Sequence, residues 1–154
     1  MMRAVEFEEV REKLVALPEL QSGKGADESD LLELVSMWGP LPIDFKQYLQ
    51  EFGWLAFSSY ELYGLGVDVP THLNLLERSR ELWLGDGEYK LPRELLPFYD
   101  SGGGWFYCLS KMHRGHPVVS WAREYEDLGE GQPYDERYLS WSQWLIDHIL
   151  TSAR

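Results

Sequence analysis

Apolar residues recur at helical spacing in several stretches of the chain, and the clearest follows Leu41. There they fall at i, i+3, i+4 and i+7 and share one face of a helix: Phe45, Tyr48, Leu49 and Phe52. Pro42 suits the first turn, where a missing N–H costs nothing, and Asp44 places a negative charge near the positive end of the helix dipole. Gly53 suits the left-handed residue that ends a helix. The pattern predicts a capped helix over 42–52.

Two more helices are predicted before it. The first runs from Phe7 to Leu17, with an acidic and basic outer face, and ends at Pro18. The second is capped by Asp27 or Ser29. Its predicted buried residues are Leu31, Leu34, Val35 and Trp38, and Gly39 follows its end.

Two further helices are predicted after it. Thr71 is the predicted N-cap of a helix that runs to Leu84, with Arg78 facing outward. The last helix begins with a capping box formed by Ser140 and Gln143, and its entry is fixed by a hydrophobic staple. The staple pairs Leu139 with Trp144.

Short aromatic and β-branched runs between these helices are typical of strands. They lie at 56–59, 61–63, 95–99, 105–110 and 117–121. Long helices combined with hairpin-like strands predict an α+β fold. We expect a single domain over 1–154, in which a small, mostly antiparallel sheet is flanked by the N-terminal helices and the C-terminal helix.

The stretch from Leu41 to Gly66 carries a series of short motifs. They are Leu41-Pro42, Asp44-Phe45, Tyr48-Leu49, Phe52-Gly53 and Tyr63-Gly64-Leu65-Gly66. A glycine-rich turn, an aromatic strand and Pro117-Val118-x-x-Trp121 follow in the second half. This pattern resembles the SUKH superfamily, which includes yeast cell-wall synthesis regulators and many bacterial immunity proteins. The resemblance is strongest over 31–149, and it departs where the family often places Asp after the glycines, because this chain has Trp105 there.

Composition narrows the class of partner. The chain has 154 residues, 44% of them hydrophobic, which is enough to bury a core. Its net charge of −12 disfavours nucleic acid and anionic membranes and favours a basic partner. No apolar leader or membrane-spanning run is visible, so we expect a cytoplasmic protein. The seven Trp and nine Tyr exceed what a core of this size usually needs, so we expect some at the surface.

Residues that could carry catalysis or bind a metal have simpler structural explanations. Cys108 lies in an apolar run, which favours a buried thiol over a nucleophile. His113 and His116 flank a predicted turn and lack a third ligand, so we expect no metal and no cofactor. The run from Ser101 to Gly104 could form an anion-binding nest, but the adjacent Asp100 favours a hairpin turn. We expect no enzymatic activity.

The resemblance implies a binding protein that neutralises a cognate toxin, commonly a nuclease, by occluding its cationic groove. The alternative is a regulatory scaffold that binds host proteins, as the yeast members do, and an enzyme is a third possibility. The acidic, aromatic 124–136 stretch favours a docking surface that steers a basic partner. By chemistry and expected exposure, the candidate contact residues are Trp54, Tyr60, Asp86, Glu88, Trp105, Glu124, Tyr125, Glu126 and Asp127.

Overall fold

The computed structural model describes residues 5–85, 89–122 and 137–150. Four α-helices precede or separate the strands: α1 (Phe7–Val15), α2 (Glu28–Met37), α3 (Ile43–Glu51) and α4 (Leu75–Leu84). A fifth, α5 (Trp141–Trp144), continues as a π-helix over Leu145–Leu150. The α+β class is therefore confirmed.

The strands form two antiparallel sheets. The first has the order β1 (Gln21–Ser22), β2 (Leu55–Phe57), β3 (Tyr60–Leu62). The second has the order β4 (Leu95–Asp100), β5 (Trp105–Ser110), β6 (Val118–Ala122), β7 (Arg137–Tyr138). Each strand pairs with its sequence neighbours in its sheet. Short hairpins join β2 to β3, β4 to β5 and β5 to β6, whereas α2 and α3 lie between β1 and β2.

A β-bulge joins the two sheets. The pairing of β4 with β5 shifts between Pro97 and Tyr99, which leaves Phe98 as the extra residue. Its carbonyl accepts a hydrogen bond of 2.9 Å from the backbone N–H of Tyr63, directly after β3. The bulge therefore directs the Phe98 carbonyl of the second sheet toward the first sheet.

The Asp27 cap is confirmed, whereas one predicted core residue of α2 is wrong. The Asp27 carboxylate accepts from the backbone N–H of Asp30 at 2.9 Å, and Ser29 donates to the same oxygen. Leu34 is fully buried, but Val35 is 38% exposed. Val35 is one residue further along the helix, and that rotation of about 100° turns it off the buried stripe.

The cap predicted for α4 is wrong. Thr71 begins a single 3₁₀ turn that ends at Leu73, and the α-helix starts only afterwards. Its N-cap is Asn74, whose side chain accepts from the backbone N–H of Glu77 at 3.1 Å. Asn is as good a cap as Thr or better, and the 3₁₀ turn places it where the helix begins.

The start of the last helix is confirmed in part. Ser140 accepts from the backbone N–H of Gln143 at 3.1 Å. Among the described residues, the Gln143 side chain accepts no hydrogen bond from the Ser140 backbone N–H, so the capping box is not completed. Its amide N–H donates to Asp147 at 2.7 Å. Leu139 is 68% exposed, so the predicted buried staple with Trp144 is wrong.

The α3 helix matches its predicted face and ends, with small shifts. Phe45, Tyr48 and Leu49 are fully buried. The helix begins at Ile43, so Pro42 occupies the N-cap position rather than the first turn. Gly53 has φ +75°, the left-handed conformation predicted for it.

One continuous core joins these elements. Helix α3 contacts α5 through Asp44, whose carboxylate accepts from the backbone N–H of Ser142 at 2.9 Å and from its hydroxyl at 2.7 Å. The Trp141 ring stacks on Tyr48 with centroids 4.6 Å apart. Sequence-distant helix starts are thereby held together at the centre of the protein.

Candidate protein-interaction surface

Trp105 stands at one end of the second sheet and is partly open to solvent. It is the first residue of β5, it is 41% exposed, and its register partner is Ala122 at the end of β6. Its ring lies over the preceding turn, because a Cβ added to Gly103 would sit 2.5 Å from the ring. Gly103 therefore makes room for a large aromatic surface at this position.

The turn before Trp105 uses its own backbone donors. The Asp100 carboxylate accepts from the N–H of Gly102 at 2.8 Å, and the Ser101 hydroxyl accepts from the N–H of Gly103 at 3.1 Å. The same hydroxyl donates to the Trp105 carbonyl at 2.7 Å. An anion nest needs those N–H groups free, so the hairpin interpretation is confirmed. The carboxylate that braces the turn precedes the glycines here.

Tyr89 brings a second part of the chain to this end of the sheet. Its ring lies 5.3 Å from Phe106 and 6.4 Å from Trp121, centroid to centroid. Its hydroxyl would lie 3.8 Å from a Cβ placed on Gly104. We call this region, formed by Tyr89, Gly102–Gly104, Trp105 and Ala122, the Trp105 end.

Six of the nine candidate contact residues lie outside the described residues: Asp86, Glu88, Glu124, Tyr125, Glu126 and Asp127. Their covalent neighbours are described. Tyr89 directly follows 86–88, Ala122 directly precedes 123–136, and both belong to the Trp105 end. The acidic stretches are thus attached to the sheet beside the exposed tryptophan.

The other two candidates are half-buried. Tyr60 packs between Phe57 and Tyr99, with centroid distances of 5.8 and 6.2 Å, and Tyr99 immediately precedes the turn that Asp100 braces. Trp54 belongs to a different loop cluster, where its indole N–H donates to Asp68 at 3.4 Å. Its ring also covers Gly23, whose added Cβ would lie 2.4 Å from the indole nitrogen. Tyr60 therefore extends the Trp105 end, and Trp54 fastens two loops.

A polar hollow of about 410 Å³ borders the same turn. Arg78 lies over the ring of Tyr63, 5.9 Å from its centroid, and forms an ion pair of 2.7 Å with Glu81. Burial raises the pKa of the Tyr63 hydroxyl, so this phenol stays neutral and can donate or accept a hydrogen bond. The sequence pattern predicts that Arg78 faces outward. In the structure its side chain packs against the Tyr63 ring instead.

Sequence reasoning missed an apolar groove of about 470 Å³ between α2 and α3. It is lined by Ala26, Glu28, Leu31, Leu32, Val35, Pro40, Leu41, Lys46 and Gln50. Leu32 is 63% exposed on its rim. A signal was present, since Leu32 and Val35 are spaced i, i+3 beside the buried stripe, but such residues are also common on ordinary surfaces.

The cysteine and the two turn histidines singled out in the sequence make packing or hydrogen-bond contacts. Cys108 is fully buried, and that burial raises the pKa of its thiol well above the ordinary value, so the structural interpretation of Cys108 is confirmed. His113 contacts the Ser110 hydroxyl at 3.2 Å, and His116 meets the Trp38 ring edge-on at 5.5 Å. Over 5–85, 89–122 and 137–150, no three His, Cys, Asp or Glu side chains are grouped so that they could hold a metal ion.

Within the same ranges, no helix has the length and apolar character needed to cross a membrane.

Comparisons with known proteins agree with this fold. Residues 7–150 match the SMI1-KNR4 cell-wall family, SUKH_5. The structure is similar to the crystal structure of a protein from Pseudomonas syringae pv. tomato, with a TM-score of 0.65 and 23% identity over 95% of this chain and 97% of that one. The comparison with curated proteins found no match. Because the family match spans nearly all the described residues, the chain belongs to the SMI1-KNR4 family of the SUKH superfamily.

Proposed function

We propose that the chain is an immunity-type binding protein that neutralises a basic toxin, and that it acts through binding rather than catalysis. The observation that carries this proposal is the attachment of both acidic stretches beside exposed Trp105. Family membership supports a role in protein interaction. The alternative is a regulatory scaffold that binds host proteins through the same surface.

The distribution of charge supports the Trp105 end as the docking surface. Residues 86–88 and 123–136 hold eight acidic residues and one basic residue, Arg123. Residues 89–122, which form most of the adjoining sheet, hold four basic and two acidic residues. The acidic residues of segment 86–136 are therefore concentrated in the two stretches. Charge complementarity with a basic partner can raise association rates toward about 10⁸–10⁹ M⁻¹s⁻¹.

Trp105 supplies an aromatic contact surface, which charged residues alone do not provide. Fully desolvated aromatic residues at the centre of an interface account for much of its affinity, whereas charges at the rim mainly affect the rate of association. A ring that is already 41% exposed and held over Gly103 loses little conformational freedom on binding. A stable complex needs about 1,600 Å² of total buried surface, so contacts must extend from Trp105 into the acidic stretches.

The first test identifies the partner. Tagged protein is used to isolate binding proteins from the organism of origin at low and at high salt, and each captured protein is expressed with and without this chain. We expect one basic protein that stops growth when expressed alone and is harmless when co-expressed. Capture of several unrelated, non-toxic host proteins would support the scaffold instead.

The second test locates the surface. Glu124, Glu126 and Asp127 are changed together to Lys, and the matched control changes Glu12, Glu19 and Glu94, which are exposed elsewhere, in the same way. Both variants shift the net charge equally. We expect only the first to slow association with the partner and flatten its salt dependence, and Trp105→Ala to speed dissociation. Equal effects of the two triple variants would show that overall charge, and not this surface, governs binding.

A further inference from the structure

The groove between α2 and α3 is built as a rigid, open surface. The backbone N–H of Ala26, just before α2, donates to the Leu49 carbonyl of α3 at 2.8 Å. At the other end of α2, the Lys111 ammonium donates to the Trp38 carbonyl and lies 5.3 Å from the Trp38 ring centroid. The helix is fixed at both ends, so a partner meets a preformed groove and the cost of ordering it is small.

Helix α2 carries more apolar side chains than the core buries. Helix α2 already buries Leu31 and Leu34, yet Leu32 and Val35 remain 63% and 38% exposed. Pro40 and Leu41, in the connection between the helices, continue the apolar lining. An apolar groove of this kind, open along its rim, is suited to the apolar face of a helical segment, whose anchors recur at i, i+3 and i+7.

The charge around the groove favours a basic partner segment. Residues 27–35 carry four acidic side chains and no basic one. The groove lining contains Glu28 on the α2 side and Lys46 on the α3 side, so the excess of negative charge lies along α2. Glu33 is paired with Arg80 at 2.8 Å, which leaves Asp27, Glu28 and Asp30 as carboxylates without an ion pair among the described residues. Burial and the neighbouring Asp27 carboxylate raise the pKa of Asp30, which is consistent with an excess of negative charge here. The net charge of −12 opposes a second copy of the chain in this position.

We propose that the α2–α3 groove binds a basic amphipathic segment of a protein partner, with apolar side chains seated between Leu32, Val35 and Leu41 and cations beside Glu28. This surface is distinct from the Trp105 end. Lys111, which holds the C-terminus of α2, follows β5 at the end opposite Trp105, a separation of about 20 Å along the strand. The groove proposal therefore does not depend on the function proposed above.

The test uses a synthetic 16-residue helical peptide with Leu at i, i+3, i+7 and Lys at the flanking positions. Two matched peptides serve as controls, one with the same residues scrambled and one with Glu in place of Lys. Binding is measured by fluorescence anisotropy and located by methyl NMR of the full chain. We expect shifts at Leu32 and Val35, and affinity at least about tenfold weaker for both control peptides.

Variants of exposed residues make the test specific. Leu32→Ser removes the apolar rim and should weaken binding of the Leu/Lys peptide at least about tenfold, because the peptide no longer buries the Leu32 side chain. The matched control is Val67→Ser, at a site that is 93% exposed and outside the groove, and it should leave the affinity unchanged. Glu28→Lys should weaken binding and flatten its salt dependence, and Trp105→Ala should have no effect.

Three results would overturn the proposal: equal effects of Leu32→Ser and Val67→Ser, NMR shifts centred on the Trp105 end, or a dimer in sedimentation that Leu32→Ser dissociates. The last result would show that a second copy covers the groove. Because thermal unfolding of each variant is recorded in parallel, a loss of binding cannot be confused with a loss of fold.

Discussion

At the scale of single residues, the aromatic side chains divide between core and surface. The abundance of Trp and Tyr predicts that some lie at the surface, whereas five of the seven Trp are buried: Trp38, Trp83, Trp121, Trp141 and Trp144. Trp105 is the exposed exception, at 41%. Rings pack edge-to-face and stacked around Phe45 and Tyr48, so the core is built largely from aromatic contacts. An exposed Trp side chain such as Trp105 is therefore unusual in this protein.

Cys108 provides a test at the residue scale. Full burial raises the pKa of its thiol, so little thiolate exists near neutral pH. We predict that a thiol-specific reagent such as Ellman's reagent does not react with the native protein at pH 8 within minutes, and reacts fully once urea unfolds it. The control is Cys108→Ala, which should remove the signal and retain the fold. Rapid labelling of the native protein would contradict the structural role of this thiol.

At the scale of elements, the starts of α2, α4 and α5 are each capped by one side chain, and for α4 the structure places that cap at a different residue from the one predicted. Asn74, and not Thr71, caps α4. We predict that Asn74→Ala lowers the free energy of unfolding by about 1 kcal/mol, because one backbone N–H loses its acceptor. Thr71→Ala should change it by less than about 0.5 kcal/mol. Urea denaturation measures both, and a larger effect at Thr71 would show that it is the residue that caps this helix.

Asp44 couples two helix starts across 98 positions of sequence. Its carboxylate also accepts from its neighbour's backbone N–H, that of Phe45, at 2.8 Å. We predict that Asp44→Ala destabilises the protein by about 2 kcal/mol, since several donors lose a charged acceptor at once. Asp44→Asn, which keeps an acceptor oxygen, should cost less.

A double-mutant cycle of Asp44→Ala with Ser142→Ala separates the interhelical contribution. We expect a coupling energy of about 1 kcal/mol. Additive effects of the two substitutions would show that the contact between α3 and α5 contributes little to stability.

At the scale of the whole molecule, two antiparallel sheets share one core. It buries tyrosines from α3, from the segment after β3 and from β4. Burial raises the pKa of the hydroxyls of Tyr48, Tyr63 and Tyr99. The Tyr48 hydroxyl also donates to the Tyr63 carbonyl at 2.7 Å. Ionisation of these groups therefore opposes the packing that joins the sheets.

This arrangement predicts alkaline unfolding. Above about pH 10 the unfolded chain loses its tyrosine protons, whereas the folded chain retains them, so the free energy of unfolding falls as pH rises. Urea titrations between pH 8 and 11, with tyrosinate absorbance as a second signal, measure the loss. Tyr48→Phe should be less stable at neutral pH by about 1 kcal/mol and show a shallower alkaline loss. Stability that stays constant to pH 11 would contradict the prediction.

The sequence by itself determined the helices, most strand positions, the Ser140 cap and the family, and it narrowed the cap of α2 to Asp27 or Ser29. These features depend on residues within about four positions of each other, where periodicity and capping chemistry are readable. It also predicted that Cys108 is buried, since its neighbours in the sequence are apolar and a single cysteine cannot form an internal disulfide. The candidate contact residues stay a prediction, because six of the nine lie outside the described chain.

Only the tertiary structure decided how those elements meet. The division into two sheets depends on the bulge at Phe98, and the α2–α3 groove depends on Lys111 reaching Trp38 across 73 positions. Attachment of both acidic stretches beside Trp105 likewise follows from strand pairing and from the Tyr89 ring. Contacts between residues so far apart in sequence leave no local pattern, because each depends on the packing of the whole core.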